Sequence, residues 1–321
     1  MERTIDVTAL GELLIDFTES GLSPQGNPLL EANPGGAPCN LLAMLARLGH
    51  RTAFLGKVGR DAFGDMLRQR VSGVGVDVSG LRVDENIPTT LAFVHTQPGG
   101  ERDFSFYRKP GADLMLREDE VDFGKIAVSK IFHFGTLSST GEPARSATRA
   151  ALAYAKAHGC LISFDPNLRP PLGDSLDRAR EEIDFGLSQC DVLKISDNEI
   201  EFMTGETDID AGVNKLLRRR PIPLVLATMG PGGSKAFYRG QTVFAPPKLT
   251  EKTIETTGAG DTFGGCALHF VLKYGLDGLN EDRLHEMLTF ANAAASLVTT
   301  RKGALCVMPT PEEVRDHMAR G

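Results

Sequence analysis

The run Glu255-Thr256-Thr257-Gly258-Ala259-Gly260-Asp261-Thr262-Phe263-Gly264-Gly265-Cys266-Ala267 carries the sharpest chemistry in the chain. Small residues open a helix that the pattern extends to about Tyr274, where Gly275 stops it. The first amides of a helix lack intrahelical acceptors and lie at the positive end of its macrodipole, so a bare turn at Gly258, Ala259 and Gly260 attracts an anion. Asp261 stands at the mouth of that turn. A carboxylate beside a phosphate is unfavourable unless it has a task, and one such task is to take the proton of a hydroxyl that attacks phosphorus. A helix cap is the other role open to Asp261.

A second glycine site, Asn33-Pro34-Gly35-Gly36-Ala37-Pro38-Cys39-Asn40, leads into a helix expected from Leu41 to Leu48 and ended by Gly49. Gly35 and Gly36 let a polar ligand approach the backbone closely, and Asn40 offers both a donor and an acceptor to a hydroxyl. An ordinary loop-to-helix turn has the same composition. Other nucleotide signatures are absent: there is no G-x-x-x-x-G-K-[ST] loop, no H-R-D loop, and no properly spaced G-x-G-x-x-G after the first strand.

These residues need a scaffold, and the chain alternates short apolar runs with helix-period stretches, the pattern of βαβ units around a mainly parallel sheet. Strands are expected over residues 5–10, 52–55, 131–134, 161–164, 192–195 and 224–227, and helices over 40–48, 143–158, 176–188 and 210–219. Residues 12–33 and 88–110 break the rhythm. In the latter, 90–94 and 103–107 alternate by two around Pro98-Gly99-Gly100, which predicts a hairpin outside the parallel sheet that can serve as a small lid. Phe104, Phe106 and Arg108 would then share one face.

The 321 residues are enough for a large core, and the composition of 41% hydrophobic and 24% charged residues is that of an ordinary globular protein. Lys and Arg number 35 against 42 Asp and Glu, a net charge of -7 that offers no basic footprint for nucleic acid. No apolar run approaches a membrane span, and the opening residues lack the features of a signal peptide. Five cysteines are scattered singly with no C-x-x-C pair, so reduced thiols and a cytoplasmic location are expected.

Taken together, the segments resemble the PfkB, or ribokinase-like, family of carbohydrate kinases over nearly the whole chain. Gly35-Gly36…Asn40 resembles its N-terminal signature and Thr257-Gly258-Ala259-Gly260-Asp261-Thr262-Phe263 its C-terminal one. Asn198-Glu199-Ile200-Glu201 resembles its N-x-x-E motif, and Thr228-Met229-Gly230-Pro231-Gly232-Gly233 its T-x-G-x-x-G nucleotide loop. Within the family the likeness is to fructokinases, through Gly11-Glu12-Leu13-Leu14-Ile15-Asp16-Phe17, Phe106-Tyr107-Arg108-Lys109-Pro110-Gly111-Ala112-Asp113 and Asp165-Pro166-Asn167-Leu168-Arg169.

The resemblance implies a single α/β domain over residues 1–321, a three-layer α/β/α fold with a mainly parallel central sheet, and a β lid inserted at 12–33 and 88–110. It implies transfer of the ATP γ-phosphoryl group to the 6-hydroxyl of D-fructose. A kinase of 2-keto-3-deoxygluconate or another sugar is the alternative, and a non-catalytic sugar-binding regulator a third. Asp261 would be the base, with the amides of Gly258, Ala259 and Gly260 facing the transferring group. Asp16, Gly35, Gly36, Asn40, Phe106 and Arg108 would hold the sugar, joined by Arg169, whose guanidinium is either near the phosphates or fixed at the surface by Asp165. Asn198, Thr228, Gly230, Gly233, Gly260 and Asn292 would line the nucleotide site. Glu201 would order water around Mg²⁺. A potassium site would use Glu255, Thr257, Val298, Arg301 and Gly303, mostly through backbone carbonyls. It departs from the family pattern at Glu255, where Asp is common, and at Val307, where a polar ligand is seen in ribokinases. The apolar lid face would be buried by a second copy in a homodimer.

Overall fold

The apolar runs become strands buried on both faces, and the amphipathic stretches between them become helices that cover the sheet. The computed structural model describes residues 2–96, 102–169, 175–250 and 252–320. In chain order the elements are β1 (Ile5–Leu10), β2 (Leu14–Leu22), β3 (Pro28–Gly35), α1 (Ala37–Arg47), β4 (Thr52–Gly59), α2 (Ala62–Gly73), β5 (Leu81–Asp84), β6 (Leu91–Thr96) and β7 (Arg102–Tyr107). Next come α3 (Phe123–Ala127), β8 (Ser129–Gly135), α4 (Ala144–Ala157), β9 (Leu161–Asp165), α5 (Leu176–Leu187), β10 (Val192–Ser196), α6 (Asp197–Thr204) and α7 (Ile209–Arg219). The chain closes with β11 (Leu224–Thr228), β12 (Ser234–Tyr238), β13 (Gln241–Ala245), α8 (Ala259–Tyr274), α9 (Glu281–Val298) and α10 (Pro311–Ala319).

The nine-stranded sheet has the order β13-β12-β11-β10-β9-β8-β1-β4-β5. It is parallel from β11 to β5, and the β12–β13 hairpin adds an antiparallel edge. Period-two alternation splits the core. Val7, Ala9, Val192 and Leu224 pack with α1, α2 and α8 to α10, while Leu10, Leu193 and Val225 pack with α3 to α7. The result is an α/β/α sandwich. From β1 the chain winds outward through β4 and β5 on one side and β8 to β11 on the other, and the carboxyl ends of strands at such a reversal leave a crevice.

A second sheet, β3-β2-β6-β7, stands over that crevice. The hairpin expected within 88–110 forms, with Ala92 opposite Phe106 and Leu91 opposite Tyr107. Its expected turn at Pro98-Gly99-Gly100 and the side chain of Phe104 lie outside the described residues. Among the described residues no helix is long and apolar enough to cross a membrane.

The expected helix start at Asn40 or Leu41 is early by a few residues in the structure. Helix α1 begins at Ala37, with Pro38 in its first turn, where its missing N–H costs nothing and its fixed φ suits the helix. Asn40 therefore lies inside the first turn rather than ahead of it.

Candidate active site

Residues at the carboxyl ends of the strands converge with α1, α8 and the lid on a cavity of about 690 Å³. Glu12 follows β1, Leu137 follows β8, Asn167 and Arg169 follow β9, and Lys194 and Ser196 end β10. Leu14, Asp16 and Phe106 reach it from the lid, Asn40 from α1, and Gly258, Gly260 and Asp261 from the start of α8. A second cavity of about 330 Å³ adjoins it, lined by Thr228, Gly230, Pro231, Gly233, Phe263, Asn292 and Ala295 among others. Thr253, Thr256 and Gly260 line both. The meeting point is the N-terminus of α8.

That terminus is built for close approach. Gly258 has φ +76°, and a Cβ there would lie 2.4 Å from the Ala304 Cβ, so only glycine fits. Among the described residues no side chain caps the helix, although the Ala259 amide donates to the Thr256 carbonyl at 3.3 Å. Gly36, at φ +126°, ends the lid strand in the same manner, with the Glu12 carbonyl 2.5 Å from where a Cβ would sit. Gly35 pairs with Leu14 at the end of β3.

Asp261 is half-buried and its Oδ2 accepts a hydrogen bond from Asn40 Nδ2 at 2.8 Å. Burial, and then the charge of Asp165, push its carboxyl from the ordinary 3.8 up to about 6, against the opposing pull of Asn40, Lys194 and Arg169. It is thus ionised at neutral pH yet a far stronger base than a surface aspartate. Asn40 is buried, and its Oδ1 has no hydrogen-bond partner among the described residues. An amide N–H is given to Asp261, while the carbonyl oxygen of Asn40, which lines the larger cavity, keeps its acceptor capacity.

Two further buried acids line the larger cavity. Glu12 is buried, accepts the Ala37 amide at 2.8 Å and so caps α1, and burial raises its carboxyl to about 7. Glu199 is also buried; its oxygens accept the amides of Leu168 and Ser196, each at 2.8 Å.

The smaller cavity is mostly apolar, with Pro231, Leu249, Phe263 and Ala295 among its lining. Asn292 lines it, but its amide is engaged: Oδ1 accepts from Ser234 Oγ, and Nδ2 donates to the carbonyls of Ala245 and Pro246. It braces the wall against β12 and β13.

A carbohydrate kinase model, the pfkB family carbohydrate kinase, matches residues 4–311. The chain belongs to the PfkB family. It is 41% identical over 307 residues to the probable fructokinase-2 of Arabidopsis thaliana, covering 95% of this chain and 93% of that protein. Among solved structures it is similar to a Xylella fastidiosa fructokinase with bound ATP, at TM-score 0.89 and 31% identity over 98% of both chains. A Vibrio cholerae O395 fructokinase in fructose, ADP and calcium ion bound form superposes at TM-score 0.88, with 30% identity over 99% of this chain and 100% of that one.

Some residues expected from the PfkB signatures lie elsewhere. Arg108 does not line the cavity. Its guanidinium is buried against Asp113, with Nε to Oδ2 at 2.8 Å, and donates to Thr140 Oγ1 and the Leu137 carbonyl, both at 2.8 Å. Strand β7 ends at Tyr107, so the alternation that would aim Arg108 with Phe106 stops one residue short. Asn198 and Glu201 are exposed on α6 and line neither cavity. Glu199 is the carboxylate that reaches the site, because as third residue of α6 it folds back on Ser196 in a capping box, while Glu201 lies well round the helix. Arg169 lines the cavity, exposed, with Nη1 on the Leu168 carbonyl at 3.0 Å. Asp165 is instead paired with Lys194.

In the loop after α9, Gly303 N donates to Glu255 Oε1 at 2.9 Å, and the Thr299 carbonyl accepts from Ile254 and Glu255. The Val298 carbonyl accepts the Arg301 amide, and the Arg301 side chain turns away to the Val307 carbonyl and Glu313. Thr257 and Glu255 face the larger cavity. Sequence reading had no claim on Glu12, Glu199 or Lys194, although a lone charge within or beside an apolar strand run was visible for the first and the last.

Proposed function

We propose that this chain transfers the γ-phosphoryl group of ATP to the 6-hydroxyl of D-fructose. The observation that carries the reading is the junction itself: an uncapped helix start and a basic carboxylate where a cavity rich in polar groups meets a more apolar one. The polar cavity suits a sugar, held by Asp16, Asn40 and the backbone at Gly36, with Phe106 closing over it from the lid. The apolar cavity suits a purine, with Thr228, Gly230 and Gly233 beside its phosphates. The fructose and ADP of the Vibrio cholerae relative support that division.

In the reaction the sugar oxygen bonds to the γ-phosphorus, the bond from that phosphorus to the bridging oxygen of ADP breaks with its electron pair, and the hydroxyl proton passes to Asp261. The transition state is loose, so the protein chiefly aligns the two oxygens and stabilises spreading charge through the amides of Gly260 and Asp261. Excluding water by lid closure protects the γ-phosphoryl group from hydrolysis.

Among the described residues no group of three or more His, Cys, Asp or Glu is arranged to hold a metal ion. Mg²⁺ would be carried chiefly by nucleotide oxygens and waters, with Glu199 at the larger cavity ordering those waters, and would supply charge neutralisation at the phosphates. Potassium would be held by carbonyls of the 252–257 and 298–303 segments. The exposed Leu22, Leu29, Leu30 and Tyr107 of the lid favour a homodimer that covers them. Free thiols at all five cysteines suit a reducing compartment such as the cytoplasm.

A coupled ADP-release assay over fructose, ribose, 2-keto-3-deoxygluconate, adenosine and tagatose 6-phosphate tests the reading. Fructose is expected to give the highest kcat/KM, with fructose 6-phosphate as product; a higher value for any other acceptor, or turnover of none, refutes it.

A further inference from the structure

Glu12 sits where the chain enters and leaves the lid. The outgoing segment Gly11-Glu12-Leu13 links β1 to β2; the returning strand β3 ends at Gly35, and α1 starts at Ala37. The two segments cross in contact. A Cβ on Gly36 would lie 2.5 Å from the Glu12 carbonyl oxygen, and one on Gly11 would lie 2.6 Å from Pro38 Cγ. Across this crossing the Ala37 amide donates to Glu12 Oε1 at 2.8 Å. Resting on the kinase reading above, we propose that Glu12 is a positioning residue: it clasps the two lid strands at their foot and seats the first turn of α1, so that Asn40 holds Asp261 for the sugar hydroxyl.

The crossing explains why the acceptor comes from a distance. A Ser, Thr, Asp or Asn just ahead of a helix usually accepts from its first turn. Here that position is Gly36, at φ +126° and with the Glu12 carbonyl where a Cβ would be, so no side chain can stand there. Pro38 has no amide proton to give, and the Asn40 amide bonds the Gly36 carbonyl at 3.0 Å. The Ala37 amide is the one that Glu12 takes, and a carboxylate at a helix start also suits the macrodipole. Burial raises the Glu12 carboxyl to about 7, with the charges of Arg108 and Asp113 acting on it in opposite senses. A carboxyl group accepts from an amide in either protonation state, so the clasp holds on both sides of neutrality.

From the clasp the effect reaches the base in two steps. Asn40 lies in the turn that Glu12 seats, and it donates to Asp261 Oδ2 at 2.8 Å. Further along, α1 and α8 meet through glycine: a Cβ on Gly265 would lie 2.9 Å from both the Leu41 carbonyl oxygen and Met44 Cβ. Helices packed this closely do not slide independently, so the seat of α1 sets how Asn40 meets Asp261. Glu12, Leu14 and Asp16 also line the sugar cavity at alternate positions, which ties the same clasp to the face the lid presents to the sugar.

Two variants open the clasp from opposite sides. Glu12→Met keeps the length and removes the acceptor, while Ala37→Pro removes the donor at a helix position that suits proline. In each, kcat/KM for fructose should fall by about ten- to a hundredfold, the cost of a small misplacement at the reacting centre. KM for ATP should stay within about twofold of wild type, because neither residue lines the smaller cavity. The acid limb of the rate profile, set by Asp261 near 6, should move to higher pH: the Asn40 bond pulls that carboxyl down against burial and Asp165, and only Lys194 and Arg169 would remain to do so. Glu12→Gln keeps an acceptor and should recover most of the activity, with the limb in its native place. In an Asn40→Ala background, Glu12→Met should cost less than about threefold, because the contact it acts through is already gone. Full additivity with Asn40→Ala, a limb unmoved in both open variants, or Glu12→Gln as impaired as Glu12→Met would overturn the proposal. Wild-type protein that phosphorylates no sugar of the panel would sink the kinase reading instead; the same cycle run on thermal midpoints then judges the clasp, and additivity there overturns it.

Discussion

Replacing Asp261 with asparagine should cost activity and raise stability in the same molecule. Asn has the same shape, and its carbonyl oxygen can still accept from Asn40 Nδ2, which in the native protein lies 2.8 Å from Asp261 Oδ2. What disappears is the proton acceptor, for which kcat should fall by about 10²–10⁴-fold. ATP affinity should be equal or improved, because a negative charge has left the mouth of an anion site. The native carboxyl titrates near 6, having been raised from 3.8 by burial and Asp165. Because the base must be ionised, wild-type kcat/KM should drop about tenfold per pH unit below that point and level off above it, a limb the variant lacks. The stability sign follows from linkage. A carboxyl whose folded-state pKa is raised favours folding most when protonated, below its ordinary 3.8, and loses that contribution as pH climbs through about 6. At pH 7 the native charge therefore costs about 3 kcal/mol if fully desolvated, and about 2 kcal/mol once water in the cavity screens a half-buried group. Asp261→Asn escapes this, so its Tm at pH 7 should rise by about 2–5 °C, and the gain should vanish near pH 4. Coupled-assay pH profiles and calorimetric melts on one preparation decide the matter. Near-normal turnover, or an acid limb that survives the substitution, would reduce Asp261 to a hydrogen-bond acceptor at a helix start.

The other expectations concern the lid. Arg108→Ala should leave the Asp113 carboxylate buried without its cation, with Thr90 Oγ1 still donating to it, lowering stability by about 3–5 kcal/mol by denaturant melt, with any loss of fructose affinity secondary to a loosened lid root. KM for ATP should be unaffected, and an unchanged midpoint together with a large rise in fructose KM would return Arg108 to the sugar. Sedimentation at micromolar concentration should give twice the 34.6 kDa chain mass, and Leu30→Glu, on the exposed lid face, should shift it to monomer; a wild-type monomer would refute the lid dimer.

Which parts of this site were legible in the sequence depended on how far apart their determinants lie. The Gly258-Ala259-Gly260-Asp261 turn and Gly36 show a permissive backbone in their own residue types, and the central strands announce themselves as continuous apolar runs, so both could be read locally, although the contacts that require glycine, Ala304 and the Glu12 carbonyl, are remote in sequence. The β12–β13 edge hairpin and α2 could not, because their apolar content is thin and their packing is settled by the neighbouring sheet and lid. Arg108 and Glu201 were misplaced for a geometric reason: a periodicity holds only inside its element, and β7 ends before Arg108, while on α6 two residues rotate a side chain away from the cavity. Lys194 is the most instructive. In Val192-Leu193-Lys194-Ile195 it reads as a tolerated charge in a strand, yet a lysine in a central parallel strand must be desolvated and so must have a partner. That partner, Asp165, ends the adjacent strand β9, and nothing in either segment says that β9 and β10 are neighbours until the sheet order is known.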